Sequence, residues 1–556
     1  MTTDSPTGPT PATPAPYPPT SPDPDRTAPD RTAYLVASGD LREPANRAGW
    51  PAQVALERLL ADAFAAHGWS LVRANPVDPR TGHGFISGQR MGLDVFRSIP
   101  PTAPLVVAEA VWQYSHHVLA GLRTHQGPIL TVANFAGEWP GLVGLLALNA
   151  GLTKTGTPHS TAWTVDGTDP WFRAAIRSWL TTGSVQHDAA HVSALRLDDG
   201  PERDAGTEIA NHLLREKAII GVFDEGCMGM YHAVIDDELL NPIGIYKERL
   251  SQSALWAEMQ TVPDAEADAV QQWLVDAGMQ FRLGTDERTE LTLDQLRWQH
   301  KMYIATLRIA DDFGLDAVGI QYQQGLKDLC PASDLAEGLL NNVERPPVRS
   351  RDGQRVLRPG APLPHFNEAD EGAAVDALVT QRVWTALGLD PATTLHDVRW
   401  GEELDGRFVW VWEISGAVPA SHLVGGYAGA EGLRQDPVYF PAGGSTLSGV
   451  CRPGEVVWSR VYIADGRLQV DMGRATALAL PEAETARRRA ATNPEWPIMH
   501  AVLHGVTRDQ FMARHKANHL NVAYAPDAGA AARAFLVKAA ALEGLGLEVH
   551  VCGDAP

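Results

Sequence analysis

This sequence predicts two α/β domains with mainly parallel, doubly wound Rossmann-like sheets, followed by a β-rich, barrel-like C-terminal domain. Three observations carry that expectation. Short apolar runs alternate with helix-like segments through the first 355 residues. Beyond about residue 360 the alternation stops, and tryptophan and β-branched residues become frequent. A chain of 556 residues is also too long for one hydrophobic core.

Residues 1–32 are rich in Pro, Thr, Ser and Asp. Such a stretch buries too little apolar surface to offset its ordering entropy, so a disordered tail is expected there. The first domain then spans 33–185. A helix is expected from Trp50, with Pro51 near its first turn, Leu56, Leu59, Leu60, Ala63 and Phe64 on one face, and Gly68 as its stop. Leu105–Ala108 and Ile129–Ala133 read as buried strands, each followed by a helix-like segment. The second domain spans 186–355. Ile219–Phe223 is its first clear strand, running through Asp224-Glu225-Gly226 into an expected helix. Thr292 and Gln295 form a capping box for a long helix that Gly314 ends, and Leu315–Ile320 is the next strand. In the third domain, 356–556, Phe408–Ile414 and Glu455–Ile463 read as strands. Asp465-Gly466 is a hairpin signal, and a helix over Ala528–Leu545 closes the chain.

Composition narrows the function. The formal net charge of −21 argues against a nucleic-acid backbone as partner. Cys227, Cys330, Cys451 and Cys552 lie far apart with no CxxC pair, which disfavours structural zinc and suits a reducing compartment. No basic and apolar leader and no membrane-length apolar run is visible, so a cytoplasmic protein is expected. There is no P-loop, no GxGxxG between a strand and a helix, and no GxSxG elbow. His515 and His519 are four apart, but the zincin glutamate is missing between them.

Three segments stand out: Cys330-Pro-Ala-Ser-Asp-Leu-Ala-Glu337-Gly-Leu-Leu-Asn341, His365-Phe-Asn-Glu368-Ala-Asp370-Glu371, and His515-Lys-Ala-Asn518-His519-Leu-Asn-Val-Ala-Tyr524. Taken singly, Glu337 reads equally as a solvated helix residue, Asp370 as a helix cap and His519 as a hydrogen-bonded histidine at a strand start.

In this order the segments resemble the three metal-ligand segments of the L-fucose isomerase family. Ala336-Glu337…Asn341 is similar to its Ala-Glu-x-x-Leu-Asn, Glu368-Ala369-Asp370 to its Glu-x-Asp, and Asn518-His519 to its Asn-His. Met228-Gly229, Asp397-Val398-Arg399, Tyr439-Phe440 with Gly443-Gly444-Ser445, and Trp496-Pro497 resemble further landmarks between about residues 100 and 550. The resemblance implies Glu337 and Asp370 as catalytic groups. It implies Glu337, Asp370 and His519 as ligands of a divalent cation, usually Mn2+, and Tyr439, Trp496 and Asn518 as sugar contacts. It also implies a homo-hexamer and the interconversion of an aldose and a ketose, with L-fucose or D-arabinose as model substrates.

The residue types suit that reaction. Moving a proton between adjacent carbons through an ene-diol calls for carboxylates as acid and base, and a hard cation can stabilise the developing oxyanion. Metal-dependent epimerisation or lyase chemistry, or non-catalytic sugar binding, are the competing readings. One departure concerns substrate: where the family has Gln-x-Gln-Arg and aromatic neighbours, this chain has Gln321-Tyr-Gln323-Gln324-Gly-Leu-Lys327. A second feature is the arginine-rich segment Arg345–Gly360, which reads either as a solvated loop or as an anion selector at the mouth of the site.

Overall fold

The computed structural model describes residues 29–555. The expected disordered tail over residues 1–32 falls outside the described residues as far as residue 28.

The first sheet has five parallel strands, β1 (Thr32–Val36), β2 (Ser70–Arg73), β3 (Leu105–Glu109), β4 (Ile129–Asn134) and β5 (Ser160–Thr164), in the order β2-β1-β3-β4-β5. Both faces are covered, so β3 and β4 read as near-continuous apolar runs. Strand order reverses between β1 and β3. In such sheets ligands bind at the carboxyl ends of the strands beside that reversal. The first helix spans Glu43–Ala65, so it starts seven residues before the expected Trp50. Pro44 occupies its first turn, and Pro51 lies inside it. A proline inside a helix forfeits one hydrogen bond, which is why Pro51 reads as a start from sequence.

A short strand β6 (Val192–Ala194) crosses to the third sheet. The second parallel sheet is small, with β7 (Ala218–Phe223), β8 (Ile245–Leu250) and β10 (Ala317–Ile320) in the order β10-β7-β8. Between them in sequence, β9 (Gln280–Phe281) pairs only with β13 (Glu431–Gly432). The capping box on helix Leu293–Phe313 forms as the sequence predicts, and Gly314 ends the helix at φ +63. The helix expected after Gly226 does not form. Two three-residue turns, Cys227–Gly229 and Tyr231–Ala233, stand there instead.

The third unit is a mixed sheet that closes on itself. β11 (Thr394–Leu404), β12 (Arg407–Glu413), β14 (Gly454–Ala464), β15 (Arg467–Ala477), β16 (Ile498–Leu503) and β17 (His519–Ala525) form an antiparallel ring, β14-β17-β11-β12-β16-β15, with β15 pairing back onto β14. β18 (Glu548–Cys552) and β6 extend it from β15. Asp465 and Gly466 both take positive φ in the β14–β15 hairpin, as a tight two-residue turn requires. Helices Glu371–Ala386 and Ala528–Gly544 share an apolar core with this barrel through Val375, Leu378, Phe535, Val461 and Val470. The third region is therefore barrel-like but not purely β.

Candidate functional site

The carboxyl ends of both parallel sheets point into one cleft, which the barrel closes from the other side. Arg42 follows β1, Trp112 follows β3, and Pro140 and Val143 follow β4; Met228 follows β7 and Gln323 follows β10. The barrel adds Asp397 and Arg399 from β11 and Asn518 from the residue before β17. Tyr439, Phe440 and Trp496 form an aromatic wall of this cleft.

All three sugar contacts implied by resemblance line this cleft. The Tyr439 and Trp496 rings stand 6.5 Å apart, and the Arg42 guanidinium lies 4.8 Å over the Tyr439 ring. Trp496 Nε1 donates to Gln435 Oε1 at 2.8 Å, and Asn518 Nδ2 donates to Asp397 Oδ1 at 3.1 Å.

The three residues implied as ligands take different positions. Glu337 sits in helix Asp334–Leu340 with only 2% of its surface exposed, so the solvated alternative is excluded. Its carboxylate accepts from Ser333 Oγ and, at 2.5 Å, from Asn367 Nδ2. Burial first, then the charge of Asp334, pushes its pKa well above the usual range. Asn367 belongs to the same turn as Glu368 and Asp370, so this bond ties the first segment to the second.

Asp370 is fully buried and, like Glu337 and His519, does not line the cleft. Arg460 donates to both its oxygens, at 2.6 and 3.0 Å, and the Ala373 amide donates to Oδ1 at 3.2 Å, so Asp370 does cap the helix that follows. Its second partner is His519, with Nδ1 2.8 Å from Oδ2. Burial alone would raise this carboxyl, but Arg460 and His519 outweigh it and hold it well below the usual range. Ionised Asp370 can only accept, so His519 carries its proton on Nδ1 and turns Nε2 toward Asp397 and Glu368.

His519 opens β17 directly opposite Asp397 of β11 in the ladder. Its Nε2 has no hydrogen-bond partner and stands 3.5 Å from Asp397 Oδ1 and 3.8 Å from Glu368 Oε2. Burial opposes a charge on this ring, but the three carboxylates around it raise its pKa overall. Glu368 sits at φ +56 and Ala369 at φ +57, a backbone region non-glycine residues rarely enter and one that clusters at functional sites. Burial lifts the Glu368 carboxyl to about 7.

Among the described residues no group of three or more His, Cys, Asp or Glu side chains is placed to hold a metal ion, so only the types of donor gathered here speak for a divalent cation. Metal-bound histidines are commonly oriented by a carboxylate on the nitrogen that does not bind the ion, as Asp370 holds His519 here. Oxygen and imidazole donors match a hard or borderline cation. In this arrangement Asp370 orients His519, while Glu368 and Asp397 face the cleft.

Local sequence gives no role to Arg42, Trp112, Glu368, Asp397 or Arg399, which the fold brings together at the cleft. A signal for Arg42 existed: the apolar run Ala33-Tyr-Leu-Val-Ala37 ends at Ser38-Gly39-Asp40, which marks the ligand edge of a parallel strand. The arginine-rich segment is a staple and not an anion selector at the mouth of the cleft. Arg351 pairs with Asp312 and Glu258, Arg355 pairs with Asp311, and Arg345 donates to the carbonyls of Asn342, Ala361 and Arg358. None of these arginines lines the cleft.

No protein-family model matches this chain, and a search of curated proteins finds no match.

Proposed function

We propose that this chain is a divalent-cation-dependent aldose–ketose isomerase acting on L-fucose, D-arabinose or a related sugar. The observation that carries the reading is the Nε2 of His519, without a hydrogen-bond partner, held by Asp370 behind Asp397 and Glu368, two carboxylates that line an aromatic-walled cleft. Apolar and aromatic walls with a few convergent polar groups are what a small polar ligand needs. Tyr439 and Trp496 offer flat faces to the C–H side of a sugar ring or chain, while Asn518, Gln323, Arg42 and Arg399 offer hydrogen bonds to hydroxyls.

His519 and Asp397 would hold the cation, with Glu368 at its edge. When bound, such an ion supplies Lewis-acid stabilisation of charge on the sugar oxygens. Acid–base work falls to Glu337 and Glu368. Burial raises both carboxyls, the second to about 7, and the Asn367 that donates to Glu337 belongs to the turn that carries Glu368. Transfer of a proton between adjacent carbons asks for such a pair. Asp370 keeps the imidazole in the right tautomer, and Arg460 keeps Asp370 ionised.

No helix among the described residues is long and apolar enough to cross a membrane. A cytoplasmic homo-hexamer is part of the same proposal by resemblance, and light scattering tests the assembly. The activity test is a panel of aldoses incubated with the Mn2+-loaded protein in D2O and followed by NMR. A ketose carrying deuterium at the carbon that exchanged its proton is expected. Absence of any ketose from the whole panel, with the cation bound, would sink the reading.

A further inference from the structure

Two strained turns meet at the floor of the cleft. The first follows β7: Asp224, Cys227 and Met228 all have positive φ, at +62, +44 and +50. The second is Glu368-Ala369 at +56 and +57. Each turn sends one side chain into the cleft, Met228 and Glu368. A hydrogen bond joins the turns, from the Cys227 thiol to the Ala369 carbonyl, and Cys227, Met228 and Ala369 share one apolar cluster. Cys227 and Ala369 are fully buried.

Backbone in this region persists only where the surroundings over-determine it. The Glu368–Ala369 turn has further anchors on its flanks. Phe366 N donates to Val318 O within β10, Asp370 is fixed by Arg460, and the Glu371 carboxylate accepts from Ile235 N at 2.6 Å and from Lys247. Between these flanks the carbonyl of Ala369 has the thiol as its donor. Gly226 and Gly229 bracket the cysteine, and a side chain at either would strike Gln324 or Tyr114, which fixes the path of the first turn.

We infer that Cys227 is a positioning residue: its thiol clamps the strained Glu368–Ala369 turn and so sets where the Glu368 carboxylate stands in the cleft. The inference rests on the proposed function only for the consequence of moving Glu368; the clamp itself is a matter of geometry. Serine has the shorter bond from Cβ, so a hydroxyl at this position reaches the same carbonyl at a normal separation. Alanine retains the backbone and removes the donor.

The test compares wild type with Cys227→Ser and Cys227→Ala by hydrogen–deuterium exchange over residues 366–371 and by steady-state kinetics on whichever aldose is turned over. In Cys227→Ala, exchange in that segment rises at least tenfold and kcat falls at least tenfold with KM nearly unchanged. Cys227→Ser restores both. Unchanged exchange in Cys227→Ala overturns the clamp, and so does a serine variant that behaves like alanine. If exchange rises in Cys227→Ala while wild type turns over no sugar, the clamp stands and the proposed function fails. Should Cys227→Ala not fold, the S–H stretch of wild type decides: a strongly hydrogen-bonded thiol band that disappears in Cys227→Ser supports the clamp, and its absence from wild type overturns it.

Discussion

Asp370 does three things at once: it caps a helix, accepts from Arg460 through both oxygens, and fixes the tautomer of His519. A sequence can suggest each role but cannot show that one carboxylate fills them all. Arg460 is the residue it could not announce, because it lies within β14, a strand read only for its apolar pattern. Replacing Arg460 with Met leaves a buried carboxylate without its guanidinium, so stability should fall by about 3–5 kcal/mol in urea denaturation. The double variant with Asp370→Asn should recover part of that loss, because the uncompensated charge is gone. Trp496 shows the opposite mixture. It lines the cleft, yet its indole N–H satisfies the buried Gln435. Trp496→Phe should therefore raise KM several-fold and also lower stability by about 1–3 kcal/mol, since Gln435 Oε1 loses its donor. A change in stability alone, with kinetics untouched, would mark Trp496 as packing only.

At the scale of elements, what the sequence showed well was whatever rested on local chemistry. The buried strands β3, β4 and β7, the capping box at Thr292 and the Asp465-Gly466 hairpin follow from runs and turn residues that act within a few positions. What it showed poorly depended on distant partners. The turns at Cys227–Gly229 read as a helix because nothing local reports that Ala369 lies opposite. The pairing of β6 with β18 joins residues far apart in the chain. The arginine-rich segment belongs to the same class: its charges look free until Asp311, Asp312 and Glu258 are brought beside them. Arg351 and Arg355 are partly exposed, so Arg355→Gln should cost less than about 1 kcal/mol. It should also leave the ratio of kcat/KM for neutral and anionic sugars unchanged. A selective loss on the anionic sugar would return this loop to the mouth of the cleft.

At the scale of the whole molecule, the site is made by convergence. Parallel sheets offer ligands the carboxyl ends of their strands, and here two such edges face one end of a closed barrel. The candidate cation donors come from places remote in sequence, Glu368 after the second sheet, Asp397 on β11 and His519 on β17. The ladder between β11 and β17 sets the latter two opposite each other, and Asp370 aims the imidazole. A cation bound across these elements would favour the folded chain over the unfolded one. At a free concentration 100 times its dissociation constant it should add about 2.7 kcal/mol of stability. The protein should thus take up about one Mn2+ per chain by calorimetry, with a higher Tm than after chelation. His519→Ala should abolish both uptake and the Tm difference. Asp397→Asn and Glu368→Gln should each weaken uptake, since each removes one anionic donor, whereas Asp370→Asn should weaken it less, by releasing the imidazole from its orienting bond without removing a ligand. That ranking separates the arrangement seen here from the one implied by resemblance, in which Asp370 itself is a ligand. If Asp370→Asn abolishes uptake while Asp397→Asn leaves it intact, Asp370 must leave Arg460 to reach the cation, and the ligand set drawn from this geometry is wrong.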